Sequence, residues 1–128
     1  MTAGYPVRTS QRRQEEDGVR DEEQEKTRQD FGAAVNMTAA ELERWLGSDE
    51  SEEVGDKKSG ESTGHASGRR IVELLRTKRD DLTDSDYEHM RKVVGYVHRH
   101  LAQRPGGDVE DSRWRYSLMN WGHDPLGK

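Results

Sequence analysis

The stretch Tyr87-Glu88-His89-Met90-Arg91-Lys92-Val93-Val94-Gly95-Tyr96-Val97-His98-Arg99-His100-Leu101 decides the fold class. Tyr87, Met90, Val94, Val97 and Leu101 recur at i, i+3, i+7, i+10 and i+14, the spacing of one buried stripe on an α-helix. Upstream, Thr83-Asp84-Ser85-Asp86 has the form of a capping box, with Leu82 and Tyr87 placed as a hydrophobic staple. Downstream, Pro105-Gly106-Gly107 ends the helix.

The segments before this helix have the same grammar. Thr38-Ala39-Ala40-Glu41 is a second capping box, flanked by Met37 and Leu42 as the staple pair. Leu42, Trp45 and Leu46 share one face, and Gly47 suits the stop. A further helix is expected from Ser67, as its cap, to about Lys78, with Ile71, Leu74 and Leu75 at helical spacing and Asp80-Asp81-Leu82 as the following turn. A last short one is expected over Ser112 to Trp121, with Trp114, Leu118 and Trp121 on one side. No segment alternates as a strand does. The expected architecture is all-α, a small bundle of three to four helices.

Two regions fall outside that pattern. Residues 1–30 hold almost no large apolar side chains and are dominated by Arg, Glu, Gln and Asp, which predicts a disordered charged arm ahead of a helical domain over 31–128. Residues 48–66 combine acids, Lys57-Lys58, Ser and Gly with Val54 as the only large aliphatic residue, which predicts a long mobile loop.

Composition narrows the function classes. With no cysteine in 128 residues, disulfides and thiolate metal sites are excluded. No apolar run approaches the roughly 20 residues that span a bilayer, and the first residues lack a signal-peptide layout. The expected location is cytoplasmic. The formal net charge of −5 counts against a uniformly basic DNA binder. The charge is segregated, however: from Arg69 to Arg104 nine bases face six acids, whereas Phe31 to Glu61 has three bases against eight acids.

Within the basic segment, Lys92, Tyr96, Arg99 and Gln103 form a stripe opposite the apolar one, suited either to follow a phosphate backbone or simply to be solvated. Ser67-Gly68-Arg69-Arg70 places two guanidinium groups in an expected first helical turn, where the helix dipole disfavours cations. Free amides of Ser67 and Gly68 with Arg69 and Arg70 would suit an anion such as phosphate; the alternative is that the arginines pair with acids of the preceding loop.

Other chemistries find less support. On one helix His98 and His100 diverge by about 200°, and His89 and His100 lie roughly 16 Å apart, so no pair among them chelates one ion. Only convergence of His65 and His123 with a carboxylate would make a metal-dependent enzyme. Gly60-Glu61-Ser62-Thr63-Gly64-His65 lacks the Gly-Lys-Ser/Thr ending and the preceding strand of a phosphate loop. No nucleophile–base pair stands out. The expectation is a protein without catalysis, metal or cofactor. Trp114 and Trp121, beside Arg113 and Arg115, suit either base stacking or closure of a core short of large side chains.

Four blocks carry a resemblance: Val35-Asn36-Met37-Thr38-Ala39-Ala40-Glu41-Leu42, Gly64-His65-Ala66-Ser67-Gly68-Arg69-Arg70-Ile71, Tyr96-Val97-His98-Arg99-His100-Leu101-Ala102-Gln103-Arg104-Pro105, and Trp114-Arg115-Tyr116-Ser117-Leu118-Met119-Asn120-Trp121-Gly122-His123-Asp124-Pro125. From about Phe31 onward the chain resembles a family of small microbial proteins of unknown function usually labelled DNA-binding protein. The resemblance implies DNA binding and assigns no residues. The combined expectation is a non-enzymatic DNA-binding protein. Its second and third helices would form a helix-turn-helix-like pair, with Arg69 and Arg70 on a phosphate and Lys92, Tyr96 and Arg99 facing the duplex. The alternative is a protein-interaction module, stress-related in kind, whose acidic arm engages a partner or covers the basic patch.

Overall fold

The computed structural model describes residues 20–54 and 63–127. Six α-helices and one 3-10 turn make up the described residues, with no strand among them. A helix through residues 20–34 (α1) is followed by α2 (Ala39–Leu46), α3 (Asp49–Glu53), α4 (Thr63–Arg76), the 3-10 turn (Arg79–Asp81), α5 (Asp84–Leu101) and α6 (Arg113–Asn120).

The local signals act where the sequence puts them. Thr38 Oγ1 accepts from the Glu41 amide at 3.1 Å while Glu41 Oε1 accepts from the Thr38 amide at 2.9 Å. Thr83 and Asp86 make the same reciprocal pair at the start of α5, at 3.1 and 3.0 Å. Ser112 caps α6 through the Arg115 amide. These caps satisfy amides that the helix itself leaves without partners. On α5, Tyr87, Met90, Val93 and Val97 are buried, while Val94 and Leu101 are only half-buried. Val93 therefore belongs to the core stripe alongside the residues that strict heptad-like spacing selects.

Three sequence expectations are corrected. Residues 20–30, assigned to the arm, are helical and continue into residue 34; residues 1–19 lie outside the described residues. Thr27, Phe31 and Ala34 turn inward and are buried, and Arg28 Nη1 donates to the Tyr87 hydroxyl at 2.7 Å. A face made of one Thr, one Phe and one Ala is too sparse to show as periodicity. It suffices here because α1 lies along α5, with Glu23, Lys26, Thr27 and Asp30 beside Arg91 and Val94.

The predicted loop over 48–66 is helical at both ends, in α3 and in the first turn of α4, while residues 55–62 lie outside the described residues. The third correction concerns Ser67, which is not an N-cap. The helix starts four residues earlier, at Thr63, and Ser67 is buried inside it with Oγ 3.0 Å from His89 Nε2. Tertiary partners surround this part of the helix.

The core is one cluster in which Leu42, Ile71, Val93, Val97 and Leu118 are almost fully enclosed. Burying each such side chain stabilises the fold by about 1.5–3 kcal/mol. Helix α2 packs chiefly on α4, and α6 lies against α2, α3, α4 and α5. At the centre of this arrangement the buried Asn120 accepts from Trp45 Nε1 at 2.7 Å and from Ser51 Oγ at 2.5 Å, and its amide donates to the Ser51 carbonyl at 3.1 Å. Gly68 of α4 lies so close that a Cβ would sit 2.5 Å from the Asn120 carbonyl oxygen and 2.7 Å from Leu46 Cδ2.

Replacing Asn120 by Ala leaves the Trp45 indole N–H and two Ser51 groups without partners. We expect a loss of about 3 kcal/mol in unfolding free energy, read by urea denaturation; a loss under about 1 kcal/mol would show that the carboxamide is not a structural tie. Gly68→Ala is expected to destabilise as well, because the added Cβ would meet the Asn120 backbone carbonyl and α4 must move off α6.

Candidate functional site

The C-terminal turn sets Trp121 against Tyr96 and His89 of α5. Gly122 has φ +82°, and a Cβ there would lie 2.9 Å from Val35 Cγ1, so this position favours glycine on both counts. The turn is anchored to the segment between α1 and α2. Gly122 O accepts from the Met37 amide at 3.2 Å, His123 Nδ1 lies 2.6 Å from Ala34 O, and Asn36 and the Asp124 backbone exchange two hydrogen bonds at 2.8 and 2.7 Å. Arg115 holds Asp124 in a two-pronged pair at 3.0 and 3.1 Å and also donates to Glu110 O. Burial pushes the Asp124 carboxyl up, but the Arg115 hydrogen bond and the Leu126 amide outweigh it and hold it below its ordinary value.

That anchoring places the Trp121 indole against α5. Trp121 stacks on Tyr96 with centroids 4.1 Å apart and planes 12° apart; Tyr96 stacks on His100 at 4.9 Å; His89 lies parallel to the far face of the array at 6.4 Å from Trp121. The four rings form a column His89–Trp121–Tyr96–His100 along one shoulder of α5. The sequence puts the two histidines on one face of the helix; the column explains what separates them. Burial holds the His89 imidazole below its ordinary value, with the charges of Arg70 and Lys92 acting the same way and Asp86 against. Burial likewise lowers His100.

The candidate cations separate into two groups. Arg70 donates to Asp86 Oδ1 at 2.9 Å and to Ser85 Oγ at 3.2 Å, tying α4 to the capping box of α5. Its partner is thus neither a free anion nor the preceding loop. Arg69 is exposed on α4 along the groove shared with Glu43, Leu46, Val72, Glu73 and Arg76, away from the outer face of α5. Ser67 and Gly68 are buried and offer no open helix end, because α4 begins a full turn earlier. Tyr96 is half-buried within the ring column instead of projecting from the stripe. Lys92 and Arg99 remain exposed on the outer face of α5; Arg91, also exposed, lies about 100° round the helix beside Glu23 and Asp30 of α1.

Arg99 folds back along its own helix, its Nη1 3.0 Å from where a Cβ on Gly95 would be. Arg104 lies over the Trp114 ring at 5.4 Å, and Trp114 donates its indole N–H to His100 O at 2.6 Å. Both tryptophans of the last segment are buried, which assigns them to the core rather than to base stacking. His65 Nε2 sits 2.6 Å from Leu46 O and His123 beside Ala34 O, so these two histidines serve different contacts. Among the described residues no group of three His, Asp or Glu side chains is placed to hold a metal ion, and no helix is long and apolar enough to cross a membrane.

The ring column and the polar ties to Asp124 were not apparent in the sequence as a unit. The signal for them was the density of aromatic and polar residues in Trp114 to Pro125, which has no periodicity of its own. A protein-family model described as "protein of unknown function (DUF3140)" matches residues 30–119. No curated protein and no solved structure matches the chain.

The histidines make stability depend on pH. In the folded chain His89 and His100 hold their protons less tightly than the unfolded value of about 6.5. Below that pH the unfolded state binds protons first, so stability is full above about pH 6.5 and declines as pH falls toward the lower folded values. A second loss follows when the lowered carboxyls of Asp86 and Asp124 protonate, at still more acidic pH. Urea unfolding at pH 7.5 and 5.5 should show the first decline, and His89→Gln should reduce it; equal stability at both pH values would contradict the assignment.

Proposed function

The chain belongs to the DUF3140 family of proteins of unknown function, and on that premise we propose that it is a non-enzymatic DNA-binding protein gripping the phosphate backbone with the outer face of α5. The observation that carries this reading is the partition of its cations. Arg70, Arg76 and Arg115 are each paired with an acid, at 2.9, 2.7 and 3.0 Å. Lys92 and Arg99, about 20° apart round α5, are exposed and without an acidic partner among the described residues. Cations left unpaired on one helix face are what a polyanion requires, because their charge is not already neutralised.

The local excess of bases from Arg69 to Arg104 supports the same reading and offsets the negative total. In this proposal α5, following α4 across the 3-10 turn, is the presented member of a helix-turn-helix-like pair. The contact set is revised from the sequence expectation. Lys92 and Arg99 touch phosphates, Arg70 positions α5 through Asp86, and Tyr96 braces the face from within. With about two phosphate contacts, log affinity should fall with log salt at a slope of roughly −2. No base-reading pair is presented, so sequence preference is weak.

A protein-interaction role is the second reading, favoured by α3. Its residues Asp49, Glu50, Ser51, Glu52 and Glu53 include no base, and the short helix is docked through Ser51 to Asn120 rather than through an apolar face.

The test is binding of a fluorescent random duplex, measured by anisotropy between about 50 and 200 mM salt. Lys92→Glu with Arg99→Glu is expected to lower affinity at least tenfold at low salt, about 1.4 kcal/mol, with an unchanged thermal melt. Undiminished binding by this variant would remove α5 from the interface. No binding by the wild-type protein at low salt would overturn the DNA reading and favour the protein-interaction one.

A further inference from the structure

Resting on that reading of the α5 face, we infer that His89 and His100 are conditional members of the same anion-binding surface, taking up protons when a polyanion docks on Lys92 and Arg99. The geometry comes first. With Lys92 as reference and about 100° per residue, Arg99 lies about 20° to one side, while Tyr96, His89 and His100 lie about 40°, 60° and 80° to the other. The ring column is therefore the immediate shoulder of the cationic stripe. Its two histidines stand at opposite ends, with Trp121 and Tyr96 between them. Both are only half-buried, so each keeps an edge toward solvent.

The charges around each imidazole determine how it responds. His89 faces Arg70 and Ser67 from α4, Lys92 and Asp86 from α5, and the Trp121 ring. Two cations against one acid, itself already paired to Arg70, disfavour a third positive charge. A phosphate seated on Lys92 reverses that balance, because Lys92 is both a ligand to the anion and, three residues along the helix, a neighbour of His89. His100 faces the Tyr96 ring from α5, with the Trp114 indole on its carbonyl; burial opposes its charge, and the negative charge of a docked polyanion favours it. Ser67 Oγ accepts as readily as it donates, so its contact with His89 survives protonation. A His100 imidazolium stacked on Tyr96 at 4.9 Å gains a cation–π contact as well.

Linkage makes the effect reciprocal: if docking promotes protonation, acidification promotes docking. Affinity should rise as pH falls below about 7, by up to about tenfold per pH unit for each proton fully coupled. The surface thereby changes from a weak two-cation patch to one of up to four charges.

The experiment uses the full chain and a random-sequence DNA duplex. Anisotropy titrations at pH 7.5 and 5.5, at one ionic strength, give the affinity ratio. NMR titration of the histidine ring protons, with and without duplex, gives the coupling directly. The expected result is tighter binding at pH 5.5, with His89 and His100 titrating at higher pH in the complex. In His89→Gln/His100→Gln the affinity ratio should collapse. Since that variant removes two stacked rings, Lys92→Gln serves as the second test. Its exposed substitution should raise the His89 titration point in the free protein and shrink the shift caused by duplex. If duplex binds but leaves both histidine titrations unmoved, this inference is overturned while the DNA reading stands. If duplex binds at neither pH, the DNA reading falls and takes this inference with it.

Discussion

The fold depends on one carboxamide. Asn120 is buried, and every polar atom of its side chain is used: Oδ1 receives the Trp45 indole and the Ser51 hydroxyl, and Nδ2 donates to the Ser51 carbonyl. These bonds join three elements that have little apolar surface to spare. Helix α3 is almost wholly acidic, and Trp45 is only half-buried. In a low-dielectric interior such a network is strong when complete and costly when broken. Gly68 lets α4 approach the same point, so α2, α3, α4 and α6 meet within a few ångströms of one residue.

From this tie the rest of the site follows in order. With α6 held at its C-terminal end, the chain leaves Asn120 into Trp121 and Gly122. The positive φ of Gly122 turns it back onto Val35 and Met37, and Asp124 locks the turn through Arg115 and Asn36. The Trp121 ring is thereby presented to Tyr96 and His89 of α5. The aromatic column is thus a consequence of backbone anchoring at both ends, not of a stacking preference alone. Its effect on α5 is to enclose one shoulder of the helix and leave the adjacent stripe of cations open.

The same packing sorts the charges. Arg70 is drawn into the α5 capping box, where Asp86 already serves the Thr83 amide, and Arg115 is drawn onto Asp124. Exposed pairs such as Arg76 with Glu43 contribute little to stability. The paired arginines have their charge offset within the fold, whereas Lys92 and Arg99 of α5 stay exposed without such partners among the described residues. A net charge summed over the chain could not reveal this, because it counts paired and unpaired charges alike.

The sequence by itself determined the elements whose information is local. The capping boxes at Thr38 and Thr83, the apolar stripe from Tyr87 to Val97, the Ser112 cap and the all-α character all depend on residues within a turn or two of each other. That is the range over which helix periodicity and capping act. Only the tertiary structure decided that residues 20–30 are helical, since Thr27 and Phe31 make a face only against α5. It alone placed Ser67 inside a helix, Arg70 on Asp86 and Tyr96 beneath the stripe. Each of these depends on a partner between 16 and 60 residues away in the chain or on a ring brought in by a distant turn, and no local pattern encodes which partner arrives. The candidate stripe was therefore legible as a helix face, but which of its members are exposed and which are enclosed depends on long-range packing.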